Sequence, residues 1–118
     1  MGELGLMGIL VPEKYGGSGM DMVAFSTAII ELGRADASVA ITMTAHNSLG
    51  ILPLLVFGSK EQKNKYLPGL ASGEILGAFG LTEPEAGSDA GATKTKAVRV
   101  GDEFVVNGSK IFITNAGV

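Results

Sequence analysis

The run Phe79-Gly80-Leu81-Thr82-Glu83-Pro84-Glu85-Ala86-Gly87-Ser88-Asp89 brings together hydroxyls, carboxylates, a proline and glycines in one short stretch that could carry chemistry. Between Thr82 and Asp89 lie two hydroxyls, three carboxylates, a proline and a glycine. Hydroxyls both donate and accept hydrogen bonds, and glycine lets backbone approach a ligand closely. Such a loop can cradle a polar planar ring or a phosphate chain. An acidic surface turn ordered by its own Asp or Ser side chains is the alternative, and composition leaves both open.

Few other residues offer chemistry. His46 is the only histidine and there is no cysteine. With no second His or Cys, and no acidic residue at ligand spacing near it, His46 lacks metal-ligand partners, and disulfides and thiolate catalysis are excluded. His46 reads as a hydrogen-bonded histidine on a mostly buried helix. Gly16, Gly17 and Gly19 do not form the dinucleotide fingerprint, and no helix-opening phosphate loop follows a strand. The five methionines, among them Met20, Met22 and Met43, read as core filler.

The elements that must position these groups change character along the chain. Residues 3–9 read as the last turns of a helix, followed by a Pro- and Gly-rich loop over 11–19. Asp21 is placed to cap a helix over about 22–34, with Val23, Phe25, Ile29, Ile30 and Leu32 on its apolar face. Glu31 and Arg34 are spaced to pair on it. Asp36 or Ser38 would cap a third helix over 38–57, apolar almost all round and bent or broken at Pro53. Ser59 and Gln62 form a capping box for a helix over 60–69, with Tyr66, Leu67 and Leu70 turned inward.

After Gly73 the pattern predicts strands over 75–82, 93–100, 104–106 and 110–114, with hairpin turns at Gly101-Asp102 and Asn107-Gly108. The fold class is α+β: a helical bundle segment (residues 1–73) and then the first strands of an antiparallel β-barrel or sandwich (residues 74–118). Four strands ending beyond Thr114 leave an open edge, so both domains are expected to continue past the chain.

The chain has 118 residues, 46% of them hydrophobic, enough for a core of Leu, Ile, Val, Ala and Met. Nine Lys and Arg stand against twelve Asp and Glu, for a net charge of −3. The cations are spread out, which argues against a nucleic-acid partner. Met1-Gly2-Glu3 lacks the charged start of a secretory signal. The most apolar stretch, Ile41 to Phe57, is interrupted by His46, Asn47, Ser48, Gly50 and Pro53, so no membrane insertion is expected.

The segment Leu81–Asp89 resembles the signature of the acyl-CoA dehydrogenase family, a Thr-Glu-Pro-x-x-Gly-Ser-Asp core. Three further stretches resemble the family in the same order. They are Pro12–Gly19, Phe57–Lys63 with Leu67-Pro68 and Ser72-Gly73-Glu74, and Asn107–Ala116.

The resemblance implies an FAD enzyme. Phe79, Leu81, Thr82, Gly87 and Ser88 would contact the flavin, Thr82 near N1 and O2. Ser88 would also touch the acyl-CoA. Phe112, Ile113 and Thr114 would flank the ring, with the Thr114 hydroxyl near N5. Many members carry Trp where this chain has Phe112, which bears on redox tuning. The implied reaction is α,β-dehydrogenation of an acyl-CoA thioester, with electrons passing to an electron-transfer flavoprotein.

The family's catalytic base is a Glu of a C-terminal helical domain, so no catalytic residue is assigned within this chain. Glu83 and Glu85 are rejected as substitutes, being expected to order the loop or stay solvated. The resemblance further implies a homotetramer, in a bacterial cytoplasm or the mitochondrial matrix. An acyl-CoA oxidase is the rival enzyme reading. A truncated, non-catalytic binding module is the rival of another class.

Overall fold

The computed structural model describes residues 1–117. It divides into two compact units, Met1–Phe79 with the stretch from Thr114 onward, and Gly80–Ile113. The fold is α+β, with helices in the first unit and a two-stranded antiparallel sheet in the second.

In the first unit residues 2–11 form successive turns rather than the end of a helix. Gly5, at φ 71°, leaves the right-handed helical region there. A short 3-10 turn, Glu13–Tyr15, ends at left-handed Gly16. Helix α1 (Met22–Ala35) begins where Asp21 Oδ1 accepts the Val23 and Ala24 N–H groups at 3.0 and 2.9 Å. Asp36 closes α1 and opens α2 (Ala37–Ala45), its Oδ1 accepting the Ser38 and Val39 N–H groups. The Glu31–Arg34 pair forms, exposed, at 3.4 Å.

The helical path continues from α2 without a break. A π-helical segment, His46–Ile51, widens it by one residue per turn before α3 (Leu52–Phe57) resumes. Pro53 sits in the first turn of α3. The wider π turn has already displaced the hydrogen-bond ladder where its missing N–H falls, so the helix is not broken. Taken together, Ala37–Phe57 is long and apolar enough to cross a membrane by length and composition, with a mean hydropathy of 1.5. The interrupting polar residues do not lower it below that level. Several of its residues, His46, Asn47 and Ile51 among them, are buried within the unit.

Helix α4 (Lys60–Ser72) starts at the capping box of Ser59 and Gln62 and ends at left-handed Gly73. It runs through Pro68 instead of stopping near residue 69. The carbonyl that loses its partner there belongs to exposed Asn64, where water can replace the bond.

Two small cores hold these helices. Val11, Ile51, Leu67, Leu70 and Ala71 form one, and Ile9, Phe25 and Met43 the other, flanked by Ile29 and Leu32. Val23 and Ile30 are exposed, as are Tyr66, Met20 and Met22, all of which the pattern had turned inward. The apolar stripe of α1 is thus narrower than its composition suggests.

In the second unit β1 (Lys96–Val100) pairs antiparallel with β2 (Glu103–Asn107), Lys96 opposite Asn107 and Val100 opposite Glu103. Gly101, at φ 63°, makes the hairpin turn. Both strands are exposed along their whole length. Residues 75–82 and 110–114 are not strands. They are extended or bent segments without a ladder partner among the described residues. Asn107 is the last residue of β2 and Gly108 has no positive φ, so the expected turn there is absent. Side chains meet the Gly77 backbone groups and the Leu81 carbonyl, and the Ile111 N–H donates to the Thr82 carbonyl.

Candidate functional site

The acidic loop is built around Glu83. Its backbone exchanges two hydrogen bonds with Ala86, at 3.0 and 3.1 Å, closing a tight turn over Pro84 and Glu85. Its side chain points inward and is only 6% exposed. The carboxylate accepts the Lys94 N–H at 2.6 Å, the Thr95 N–H at 3.0 Å and the Lys110 ammonium at 2.8 Å. Lys110, supported by the bonds from Thr95 and Lys94, holds the Glu83 carboxyl down to about 2. It stays ionised at any ordinary pH and is a weak base. The sequence expectation that Glu83 orders the loop therefore fits its geometry, but it is buried and not solvated. Glu85 is exposed and pairs with Lys94.

Lys110 ties a second segment to this loop. Its ammonium donates to the Leu81 carbonyl at 2.9 Å as well as to Glu83, and the next N–H, of Ile111, donates to the Thr82 carbonyl at 2.9 Å. Leu81 and Thr82 are thereby joined to the segment that carries Phe112 and Ile113. Sequence reasoning did not single out Lys110. The available signal was a lysine heading the apolar run Ile111-Phe112-Ile113, a position that calls for a buried counter-charge.

Of the predicted contacts in this unit, Leu81 is 44% and Phe112 89% exposed, Gly87 and Ser88 are exposed, and Thr82 and Ile113 are half-buried. A Cβ built on Gly87 would meet nothing within 4 Å. Phe112 has φ 55°, a left-handed conformation rare for a bulky residue. Strain of that kind costs about 1–3 kcal/mol and concentrates at ligand sites. Asp89 caps the 3-10 turn Ala90–Ala92 through the Gly91 N–H, at 3.2 Å. A cavity of about 230 Å³ is lined by Glu83, Pro84, Glu85, Lys94, Thr95, Gly108 and Ser109. None of the predicted contacts lines it, and its carboxylates are already paired.

Phe79 and Thr114 belong to the first unit, where both are exposed. The segment leading to Phe79 is gripped at Gly77. Its N–H donates to His46 Nδ1 at 2.8 Å, and its carbonyl accepts from Asn115 Nδ2 at 3.1 Å. Asn115 Nδ2 donates also to the Thr42 carbonyl, at 3.2 Å. Because Nδ1 of His46 accepts, Nε2 carries the proton and donates to the Leu70 carbonyl at 2.9 Å. His46 is fully buried, and that burial pushes its pKa down, partly offset by the Leu70 bond. The imidazole is a neutral structural link, as its sequence context suggested. Gly77 also packs directly on Gly50, each Cα within 3 Å of a Cβ built on the other.

The residues present fit a flavin in kind. The second unit offers an exposed phenyl ring at Phe112, hydroxyls at Thr82 and Ser88, and open space at Gly87; the first unit, taken by itself, offers the Phe79 ring and the Thr114 hydroxyl. Among the described residues no three His, Asp or Glu side chains gather as a metal site.

Comparison with known proteins agrees along the whole chain. Residues 1–74 match the acyl-CoA dehydrogenase N-terminal domain and residues 78–118 the acyl-CoA dehydrogenase middle domain. An acyl-CoA dehydrogenase of Bacillus subtilis (strain 168) is 55% identical over 117 residues, covering 99% of this chain and 31% of that protein. A solved structure described as the electron transferring flavoprotein of Acidaminococcus fermentans aligns with a TM-score of 0.95 and 51% identity, over 99% of this chain and 31% of that one. An acyl-CoA dehydrogenase complexed with FAD from Bacillus anthracis aligns with a TM-score of 0.90 and 50% identity, over 97% of this chain and 20% of that one. The chain thus spans less than a third of the length of these relatives.

Proposed function

The chain belongs to the acyl-CoA dehydrogenase family, and on that premise we propose that it is part of an FAD-dependent enzyme that oxidises an acyl-CoA thioester between its α and β carbons. The observation that carries this reading is the division of labour in the acidic loop. Glu83 turns inward to hold the loop together, which leaves Thr82, Ser88 and Gly87 available to a ligand.

FAD, when bound, supplies the hydride acceptor for the reaction. The residues of this chain bind and orient. In the second unit Leu81, Thr82, Gly87, Ser88, Phe112 and Ile113 are its proposed contacts, with Thr82 donating toward the pyrimidine edge and Ser88 reaching the acyl-CoA. In the first unit Phe79 and Thr114 are proposed contacts. The proton from the α carbon goes to a base outside residues 1–117, because Glu83 is committed to three donors and Glu85 to Lys94. Domain boundaries at 73/74, a homotetramer, and electron delivery to an electron-transfer flavoprotein belong to the same reading. The relation to the A. fermentans structure supports the last of these.

The test is the visible spectrum of the protein incubated with FAD and then desalted. A retained flavin band, shifted from that of free FAD, is expected. Complete loss of colour on desalting overturns the assignment of these contacts. Rapid hydrogen peroxide production in air with an acyl-CoA substrate would sink the dehydrogenase reading in favour of an oxidase.

A further inference from the structure

The Lys110–Glu83 pair is partly buried, with the lysine side chain 27% and the glutamate 6% exposed, and its bonds outweigh desolvation, since the Glu83 carboxyl is held well below its ordinary value. The lysine also has a second partner that ion pairing alone does not require, the Leu81 carbonyl at 2.9 Å. Its stem passes close to Gly80, where a built Cβ would lie 3.3 Å from Lys110 Cγ.

The Leu81 carbonyl and the Thr82 N–H belong to one peptide unit. A cation on the carbonyl oxygen draws electron density through that peptide and makes its N–H a stronger donor, the cooperative effect seen along hydrogen-bond chains. Among the described residues nothing accepts the Thr82 N–H, whereas the Thr82 carbonyl is taken by Ile111. One face of Thr82 is therefore fixed and the other is left polarised and free.

We propose that Lys110 is a positioning residue for the flavin: balanced by Glu83, its ammonium holds the Leu81 carbonyl and strengthens the Thr82 N–H as a donor to the bound ring. The inference rests on the FAD reading above. Donation to a flavin counts for more when the ring is reduced and carries more negative charge. Lys110 then makes the bound flavin easier to reduce, and Glu83 sets how much of that charge is felt.

The experiment is the midpoint potential of the FAD-loaded protein for wild type, Lys110→Met, Lys110→Arg and Glu83→Gln, with a thermal melt of each. Lys110→Met is expected to shift the potential negative and Glu83→Gln to shift it positive, while Lys110→Arg stays near wild type. A pair that merely braces the loop predicts that Lys110→Met and Glu83→Gln shift together. That result, or an unshifted Lys110→Met, overturns the proposal. Where Lys110→Met does not fold, Glu83→Gln decides: a positive shift supports the proposal and no shift overturns it. A wild type that holds no FAD overturns the FAD reading and this inference with it. A flavin-free readout separates the two failures, since the Thr82 amide proton resonance moves upfield in Lys110→Met if the peptide is polarised and stays in place if it is not.

Discussion

Replacing either of two helical glycines with alanine should move stability in opposite directions. Gly33 lies in α1, and a Cβ there would meet only Ala40 Cβ, at 3.7 Å. Nothing opposes the helix-propensity gain at that position, about 1 kcal/mol. Gly50 lies in the π-helical segment, and a Cβ there would stand 2.7 Å from Gly77 Cα and 3.0 Å from its carbonyl carbon. Those are backbone atoms and cannot rotate away. Gly77 is also held on both sides, by His46 at its N–H and by Asn115 at its carbonyl. To make room the segment must either stay overpacked, at about 1–3 kcal/mol, or release two hydrogen bonds worth about 0.5–1.5 kcal/mol each. After the propensity gain, Gly50→Ala should lose up to about 2 kcal/mol while Gly33→Ala gains up to about 1. Urea unfolding followed by circular dichroism at matched pH measures both. A Gly50→Ala protein that gains as much stability as Gly33→Ala would refute the close approach and the clamp on Gly77 together.

Three other outcomes follow from the same groups. The Glu83 carboxyl, held at about 2 against 4.5 unpaired, contributes stability that is fully present above pH 4.5 and is lost as pH falls toward 2. In Glu83→Gln the slope of stability with pH should flatten across that window, and an unchanged slope would place the titration elsewhere. The pKa of His46 is lowered by burial, so its contribution is full above the ordinary value of 6.5 and fades as pH falls below it. An NMR titration of the ring should find a midpoint below 6.5 with the neutral form protonated on Nε2, and a midpoint at 6.5 would contradict its burial. Phe112→Asn puts a residue that tolerates positive φ where Phe112 sits at 55° with little buried surface to lose. It should raise stability by about 1 kcal/mol while weakening FAD retention, and loss of stability would show that the ring is packed after all.

The helices were readable because their signals are local. Asp21, Asp36, and Ser59 with Gln62 each cap the helix that follows within three residues. The hairpin at Gly101 is equally local. The π-helical segment was not readable, since an apolar run holding His46, Asn47 and Gly50 has no periodicity that reveals one extra residue per turn. Nor does a pattern say which apolar residues of α1 find partners, so Val23 and Ile30 could not be told from Phe25. In the candidate site the motif residues were legible through resemblance. Lys110 was not, because it acts through a contact 27 residues away in sequence.

The two missing strands share a cause. Residues 75–82 and 110–114 are largely apolar, as strands are, but a strand also needs a ladder partner for its N–H and C=O groups. Here buried side chains take that part. His46 and Asn115 hold Gly77, Lys110 holds Leu81, and Glu83 holds the N–H groups of Lys94 and Thr95. Asn47 does the same for the turns near the start of the chain, donating to the Leu6 carbonyl at 3.1 Å. A ladder would commit nearly every backbone group along both segments. Side-chain support commits chosen ones and leaves others, such as the Thr82 N–H, free to meet a ligand. The same buried polar residues that made a strand reading fail are what allow these segments to be ordered and still have hydrogen-bonding capacity to offer.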